Sequence, residues 1–481
     1  MINLRPHQER AVRELRDGFR AGHLRQILVM PTGAGKTVTA AHIADCARRN
    51  GNLPLFIVDR IALADQAVET MVRAGLRTSL LRGAESRMVT GHDVVVASIQ
   101  TLARRKLPDA SLLLIDECHI LYRAHARLLE RWDAVPTIGL TATPFTRGLG
   151  QYFTNLVAPT SIQELTDNRL LVPAIPFGPA KFDVDAVAIR GGDYVVGELS
   201  KAVNRVELHA EVVSTWKRLG EGRPTLVFCV DIAHSKAVAS AFQEAGVNAA
   251  HVDGYMDRQE RQISIERFRI GEITVLCSVA CLSVGFDAPN ASCLVLARPT
   301  KSPTLHVQQI GRGLRAFEGK TGCIVIDHAG NIERFGLPSD LQIGELDTHE
   351  KTWPVRLSND PQPRPCPSCA HLKPPRIHSC PICGFSPERQ NTVRTLDSEI
   401  VPLTDHARNH SDRRLYQEFL GVAKTFGKSP GWAFHLFVEM KKTKPQGSWA
   451  HLEPIEPSSA MRNFAKSQLI RFAKSRKATR T

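Results

Sequence analysis

Uninterrupted apolar runs recur through the first third of the chain: "QILVM" (26–30), "LFIVD" (55–59), "DVVVAS" (93–98), "LLLID" (112–116) and "TIGLT" (137–141). Helical patterns separate several of them. Such runs have the length and punctuation of parallel strands buried on both faces, and the alternation predicts a sheet covered by helices. After a less regular stretch near 158–200 a second series begins: "TLVFCV" (225–230), "NAAHVD" (248–253), "TVLCSV" (274–279), "SCLVLA" (292–297) and "GCIVID" (322–327). Helical segments 235–246 and 261–272 intervene. The pattern predicts two α/β domains of similar size and construction.

Beyond about 336 the rhythm stops. Residues 354–375 hold seven prolines, which few packed elements tolerate. Helical spacing returns with Leu415, Phe419, Val422 and Phe426, and Trp432, Phe434 and Phe437 add apolar area for a small domain. The expected organisation is a first domain over 1–165, a connecting segment over 166–200 and a second domain over 201–335. A linker (336–365), a cysteine-bearing module (366–390) and a helical, basic C-terminal domain (400–481) follow.

Composition narrows the class. There is no run of 18 or more apolar residues, so no membrane span is expected. The opening "MINLRPHQER" is charged and lacks an apolar h-region, so it does not read as a secretory signal. The expected location is the cytoplasm, in a bacterial or phage-infected cell, where disulfides are rare. Net charge is +14, and residues 391–481 carry +8 of it. Seven Lys/Arg and no acid lie in the final 21 residues. Such an excess suits a polyanion such as nucleic acid, and suits a solubilising tail equally well.

"MPTGAGKTVTAAHIADCARRNG" (30–51) follows a predicted strand and opens a predicted helix. Thr32, Gly33, Ala34 and Gly35 form a loop whose glycines let backbone N–H groups approach phosphate oxygens. Lys36 can reach the β- and γ-phosphates, and the Thr37 hydroxyl can ligate Mg²⁺. Met30 stands where the strict pattern has glycine, which leaves the phosphate-facing part intact. The loop implies ATP and Mg²⁺. It also explains why "LLLIDECHIL" (112–121) ends a buried strand in two carboxylates. Asp116 is expected to hold Mg²⁺, and Glu117 to orient and deprotonate the attacking water. His119 reads as a structural histidine.

"CPSCAHLKPPRIHSCPICGF" (366–385) places Cys366/Cys369 and Cys380/Cys383 as two CxxC pairs, each able to present two thiolates to one tetrahedral Zn²⁺. A redox pair is the competing reading. The spacing leaves open whether the module is a structural clip or a nucleic-acid-binding ribbon.

These motifs, in this order over about residues 3–330, resemble the superfamily 2 helicases of the DEAD/DEAH kind, here with Asp-Glu-Cys-His, and are similar to phage, prophage and repair-type DNA helicases. The resemblance implies two tandem RecA-like parallel-sheet domains. "LRPHQERAV" (4–12) looks like the family's glutamine motif, implying that Gln8 reads the adenine edge with Arg5 nearby. "IVDRIALADQ" (57–66) and "ASIQTL" (97–102) are similar to strand-contact motifs, making Arg60, Ser98, Gln100 and Thr101 candidates for backbone contact. "LTATPF" (140–145) matches the motif that couples hydrolysis to domain movement. "SVGFDAP" (283–289) implies nucleotide sensing by Gly285 and Asp287. "QQIGRGLR" (308–315) carries Arg312 and Arg315, expected on one helical face and able to complete the ATP site when the domains close.

The resulting expectation is an ATP-dependent helicase or translocase on nucleic acid. DNA stands ahead of RNA and movement is 3′→5′, with replication, recombination or repair proteins as partners. An RNA helicase, a duplex translocase that does not unwind, a nucleic-acid-binding adaptor and a zinc-centred interaction protein with an ATPase switch remain open at this stage.

Overall fold

The computed structural model describes residues 3–59, 61–83, 85–120, 123–146, 148–178, 182–279, 288–341, 346, 363–375, 377–386, 405–458 and 461–469. The chain divides into two compact units, Met1–Pro387 and Glu388–Thr481.

The first unit holds two parallel-sheet lobes. In the first lobe the strands are β1 (Arg25–Val29), β2 (Pro54–Val58), β3 (Thr78–Arg82), β4 (Glu85–Arg87), β5 (Val94–Ser98), β6 (Leu112–Asp116), β7 (Thr137–Thr141) and β8 (Asn155–Val157). Their order is β4-β3-β5-β2-β6-β7-β1-β8, and only β3–β4 is antiparallel. The strands β2, β5 and β7 are buried at every position because both faces are covered. Leu28, Phe56, Leu114 and Leu140 enter one core, while Ile27, Leu55, Ile57, Leu113 and Ile115 enter the other. β7 lies between β1 and β6, so the segments leaving all three strands gather at one edge of the sheet.

In the second lobe β9 (Ala174–Phe177) is followed by a small hairpin, β10 (Ile189–Arg190) and β11 (Asp193–Tyr194). Then come β12 (Thr225–Phe228), β13 (Ala249–Val252), β14 (Val275–Ser278), β15 (Cys293–Leu296) and β16 (Cys323–Asp327). The sheet runs β13-β14-β12-β15-β16-β9 and is parallel throughout. Here the structure departs from the expected connector at 166–200, because β9 is an edge strand of the second sheet. Short and interrupted by Pro176, it lacks the apolar run of a central strand, which is why the pattern hid it.

One apolar cluster runs from Leu28 and Met30 through Leu171, Val172, Ile310 and Leu314 to Leu226 and Leu294, so the lobes share a continuous core. Val172 N donates to Leu314 O across this junction (2.8 Å). The cysteine module carries β17 (Arg364–Pro365) and β18 (Leu372–Lys373). It extends the second lobe at its β9 edge: Phe177 pairs with His371 in an antiparallel bridge, and Gly178 N donates to Ala370 O (2.9 Å).

The second unit packs helices Asp405–Thr425 and Pro430–Lys441 around Phe419, Val422, Leu436, Phe437 and Trp449. Among the described residues no helix is long and apolar enough to cross a membrane.

Candidate functional site

The loop after β1 has the backbone that phosphate binding needs. Gly33 and Gly35 adopt φ of 89° and 86°, a region that side chains penalise, and Gly35 caps the helix Lys36–Arg49. Ala34 is buried, while Thr32, Lys36 and Thr37 are half-buried at the lobe junction. Lys36 Nζ donates to Met30 O at 3.3 Å.

Gln8 is bonded to the phosphate loop itself. Its Nε2 donates to Ala34 O (3.2 Å) and Gly35 O (3.4 Å), and its Oε1 accepts from Arg5 N (2.8 Å). His7 Nε2 shares the Ala34 carbonyl at 2.9 Å. In this arrangement Gln8 and His7 brace the loop, and Arg5 is the exposed residue that begins the helix Pro6–Arg20.

Asp116 ends β6, its Oδ1 accepting from Glu117 N at 3.0 Å. Burial, with the Glu117 charge beside it, pushes the Asp116 carboxyl well above the usual carboxylate range, and Lys36 opposes the shift. Burial would raise Glu117 too, but His119, Lys36 and Arg312 hold it below its usual range. Negative charge on this pair therefore concentrates on Glu117. Glu117 also has φ of +48°, uncommon for a residue with a Cβ and typical of strained sites whose surroundings fix the backbone.

The second lobe meets this edge. A Cβ added to Gly311 would lie 2.9 Å from Thr32 Cβ, and one added to Gly33 would lie 3.4 Å from Arg315 Cγ. Arg312 is close enough to depress the Glu117 carboxyl. The two arginines do not share a helical face, however. The helix Pro303–Gly313 ends between them, and Arg315 lies in extended backbone bridged to Leu171.

Thr143 Oγ1, a hydroxyl able to donate, is buried without a hydrogen-bond partner among the described residues. With the glycine loop and the cationic groups, it fits a polar, anionic ligand such as a nucleoside triphosphate.

Arg60, Gly285 and Asp287 lie outside the described residues. The other strand-contact candidates make internal contacts. Ser98 caps the helix Ile99–Leu102, Thr101 Oγ1 accepts from Gly83 N (2.8 Å), and Gln100 Nε2 donates to Asp59 O (2.6 Å). Arg104 and Lys106, just beyond that helix, are exposed.

Sequence reading missed two connections. His119 Nδ1 lies near both Thr141 Oγ1 and Glu117 Oε2, and only its adjacency to the acids hinted at it. Asp65 of the first lobe pairs with Arg82 (2.6 Å) and with Arg258 of the second (3.3 Å). No spacing rule announces a pair so distant in the chain.

Cys366, Cys369, Cys380 and Cys383 converge, all four Sγ atoms lying within 4.8 Å of one another. Cys366–Cys383 and Cys369–Cys380 are each 3.7 Å apart. Tetrahedral zinc with bonds of about 2.3 Å sets sulfurs about 3.8 Å apart, so the set fits Zn²⁺ and is too open for disulfides.

Residues 1–146 match the family of the res subunit of type III restriction enzymes, and residues 206–317 match the helicase conserved C-terminal domain. A 51.5 kDa protein of Lactococcus phage (isolate 7-9) is 30% identical over 377 residues, covering 77% of this chain and 80% of the phage protein. IRC3 of Saccharomyces cerevisiae, given the name of an ATP-dependent helicase, is 31% identical over 68% of this chain and 51% of the yeast protein. The endonuclease subunit of the Escherichia coli type I restriction enzyme EcoAI is 25% identical over 74% of this chain and 52% of that subunit. The chain thus spans about half the length of the yeast and E. coli relatives. A fragment assigned to a type I restriction HsdR subunit from Vibrio vulnificus YJ016 shares the fold, with a TM-score of 0.56 at 24% identity over 72% of this chain and 67% of that one. On these matches and this geometry, the chain belongs to the superfamily 2 ATP-dependent helicases of the DEAD/DEAH type, with Asp-Glu-Cys-His as its acidic motif.

Proposed function

We propose that the chain hydrolyses ATP to move 3′→5′ along DNA and separate its strands. The observation that carries this reading is the position of Arg312 and Arg315, contributed by the second lobe and facing Glu117 and the glycine loop of the first. Gly33, Gly35 and Lys36 hold the triphosphate. Thr37 and Asp116 would hold Mg²⁺, whose charge offsets that of the β- and γ-phosphates. Glu117, kept ionised by His119 and Lys36, accepts the proton of the attacking water. Arg312 and Arg315 meet the transferring phosphoryl group, a contribution of about 10³–10⁵ in rate. Because the site needs both lobes, occupancy by ATP favours closure and hydrolysis releases it.

The preference for DNA rests on the restriction-enzyme relatives and on likeness to the DNA-bound Type ISP restriction-modification enzyme LlaBIII, whose TM-score is 0.51 at 16% identity over 68% of this chain and 28% of that one. The polarity rests on family resemblance. Exposed Arg104 and Lys106 are suited to phosphate contact, which makes binding sensitive to salt and largely independent of base order. Cys366, Cys369, Cys380 and Cys383 would hold one Zn²⁺.

The test is ATP turnover and strand displacement on matched DNA and RNA duplexes with 3′ or 5′ overhangs. Displacement of DNA from a 3′ overhang, lost in Lys36→Ala, is expected. RNA displacement alone overturns the substrate, and turnover without displacement overturns unwinding.

A further inference from the structure

We propose that Lys320 is a positioning residue for the ATP site. Its ammonium ties the main chain at Arg315 to the turn 288–291 and so sets where the Arg315 guanidinium stands relative to the phosphate loop. This rests on the reading of Arg315 as a group that meets the transferring phosphate.

Arg315 needs an external hold. The helix Pro303–Gly313 ends before it, and the four residues that follow it, 316–319, are exposed. One side of its backbone is bridged to Leu171. The other is held by Lys320, whose Nζ donates to Arg315 O at 3.0 Å, to Pro289 O at 3.1 Å and to Ala291 O. Gly319, with φ of 74°, turns the chain back so that this contact forms. Ala291 N donates to Ala288 O (3.2 Å), so Pro289 and Ala291 present their carbonyls from a closed turn.

An ammonium has three N–H donors, and three carbonyls accept from this one. Among the described residues, the ionisable groups that act on it are the Cys323 thiol on β16 and the Arg315 guanidinium, which repels it; no acid is among them. Among those residues Lys320 is therefore not one half of an ion pair. Desolvating an ammonium without a counter-charge is costly unless its donors are satisfied, so its retention points to the donors themselves. They join two chain segments that are remote in sequence, and Arg315 lies on one of them.

Burial also pushes the Lys320 amine down to about 8. Above that pH a neutral amine keeps two N–H donors for three carbonyls, and the tie loosens. The turnover number should then fall on the alkaline side near pH 8. A displacement of about 1 Å at a reacting group costs about 10²-fold, so a loosened anchor is expected to act on kcat more than on KM.

The experiment compares the full-length wild type with Lys320→Met, Lys320→Arg and Arg315→Ala. It measures kcat and KM for ATP from pH 6.5 to 9.5, with hydrogen exchange followed in peptides covering 288–291 and 315–320. Lys320→Met is expected to lose about tenfold or more in kcat with KM within about twofold, and to exchange faster in both peptides. Lys320→Arg, which keeps its charge throughout, is expected to recover most of the kcat and to lack the alkaline fall near pH 8. Unchanged kcat in Lys320→Met, or a wild-type alkaline fall retained in Lys320→Arg, overturns the proposal. Wild-type turnover in Arg315→Ala overturns the reading of Arg315 instead, and hydrogen exchange in Lys320→Met then decides separately whether the tie exists. If Lys320→Met fails to fold, the pH profile of Lys320→Arg still decides.

Discussion

Nδ1 of His119 lies 3.0 Å from Oγ1 of Thr141 and 3.2 Å from Oε2 of Glu117, so one buried imidazole connects the acid after β6 to the threonine ending β7. Thr141 Oγ1 in turn accepts from Thr143 N at 2.9 Å. The protonated nitrogen facing both oxygens is assigned from these partners. His119→Ala removes the group that orients Glu117. We expect kcat to fall by about 10²-fold with ATP affinity within about twofold, measured by steady-state turnover and equilibrium nucleotide binding. An unchanged kcat would return His119 to the core.

Glu117→Gln keeps the shape of the side chain and removes its basicity. It should bind ATP and fail to turn it over, whereas Lys36→Ala should lose turnover by losing its grip on the phosphates. Normal turnover in Glu117→Gln would reassign the proton acceptor.

Gly311 lies in the last turn of the helix Pro303–Gly313 and is packed against the phosphate loop. A Cβ added there meets Thr32 Cβ at 2.9 Å across the lobes. Because the two lobes share one continuous core, the clash has to be relieved by a shift at the junction. Gly311→Ala should therefore lower the melting temperature and lower turnover by about tenfold or more. Wild-type turnover would mean that the lobes do not need this contact.

The cysteine module is fastened to the second lobe. Leu372 is buried against Gly178, where a Cβ would sit 2.6 Å from Leu372 Cδ2, and His371 pairs with Phe177. Cys366→Ser should lose one zinc per chain by metal analysis. Chelation of the wild type should lower the melting temperature by about 3 °C or more, because the edge of the second sheet loses its cover. Zinc content unaltered by the substitution ends the assignment.

Asp327 predicts a pH effect. It is buried at the end of β16, where it accepts from Ala329 N (3.1 Å) and Ile332 N (2.7 Å), yet burial pushes its carboxyl up to about 6. A carboxyl whose folded pKa exceeds its unfolded one holds its proton more tightly when folded. Stability therefore falls as pH rises from about 4 to about 6, by up to about 3 kcal/mol. Buried His306, lowered to about 4, acts in the opposite sense over the same range. The difference between wild type and Asp327→Asn in denaturant unfolding isolates the aspartate, and a difference independent of pH would refute it.

The strands β1, β2, β5, β6, β7, β12 and β14–β16 were legible because burial on both faces leaves a run of apolar residues, and the edge strand β13 was legible from its alanines and Val252. The glycine loop, the paired acids and the two CxxC pairs were legible too, since each chemistry demands particular residue types at short spacing. β4, β8 and β9 were not, because short edge strands need few apolar residues, and β3, one strand in from that edge, sets Thr78, Ser79 and Arg82 around only two leucines. Spacing also suggested one helical face for Arg312 and Arg315, but the helix stops at Gly313.

What the linear pattern determined is therefore local: alternating sheet and helix, a loop able to turn around phosphate, and thiols able to meet one metal. What only the tertiary structure decided is which distant groups touch. Gln8 braces the loop, His119 reaches Thr141, Arg312 acts on Glu117, and Lys320 ties Arg315 to residues 289–291. Period and propensity act over a few residues, whereas these contacts arise when two sheets pack on one continuous core.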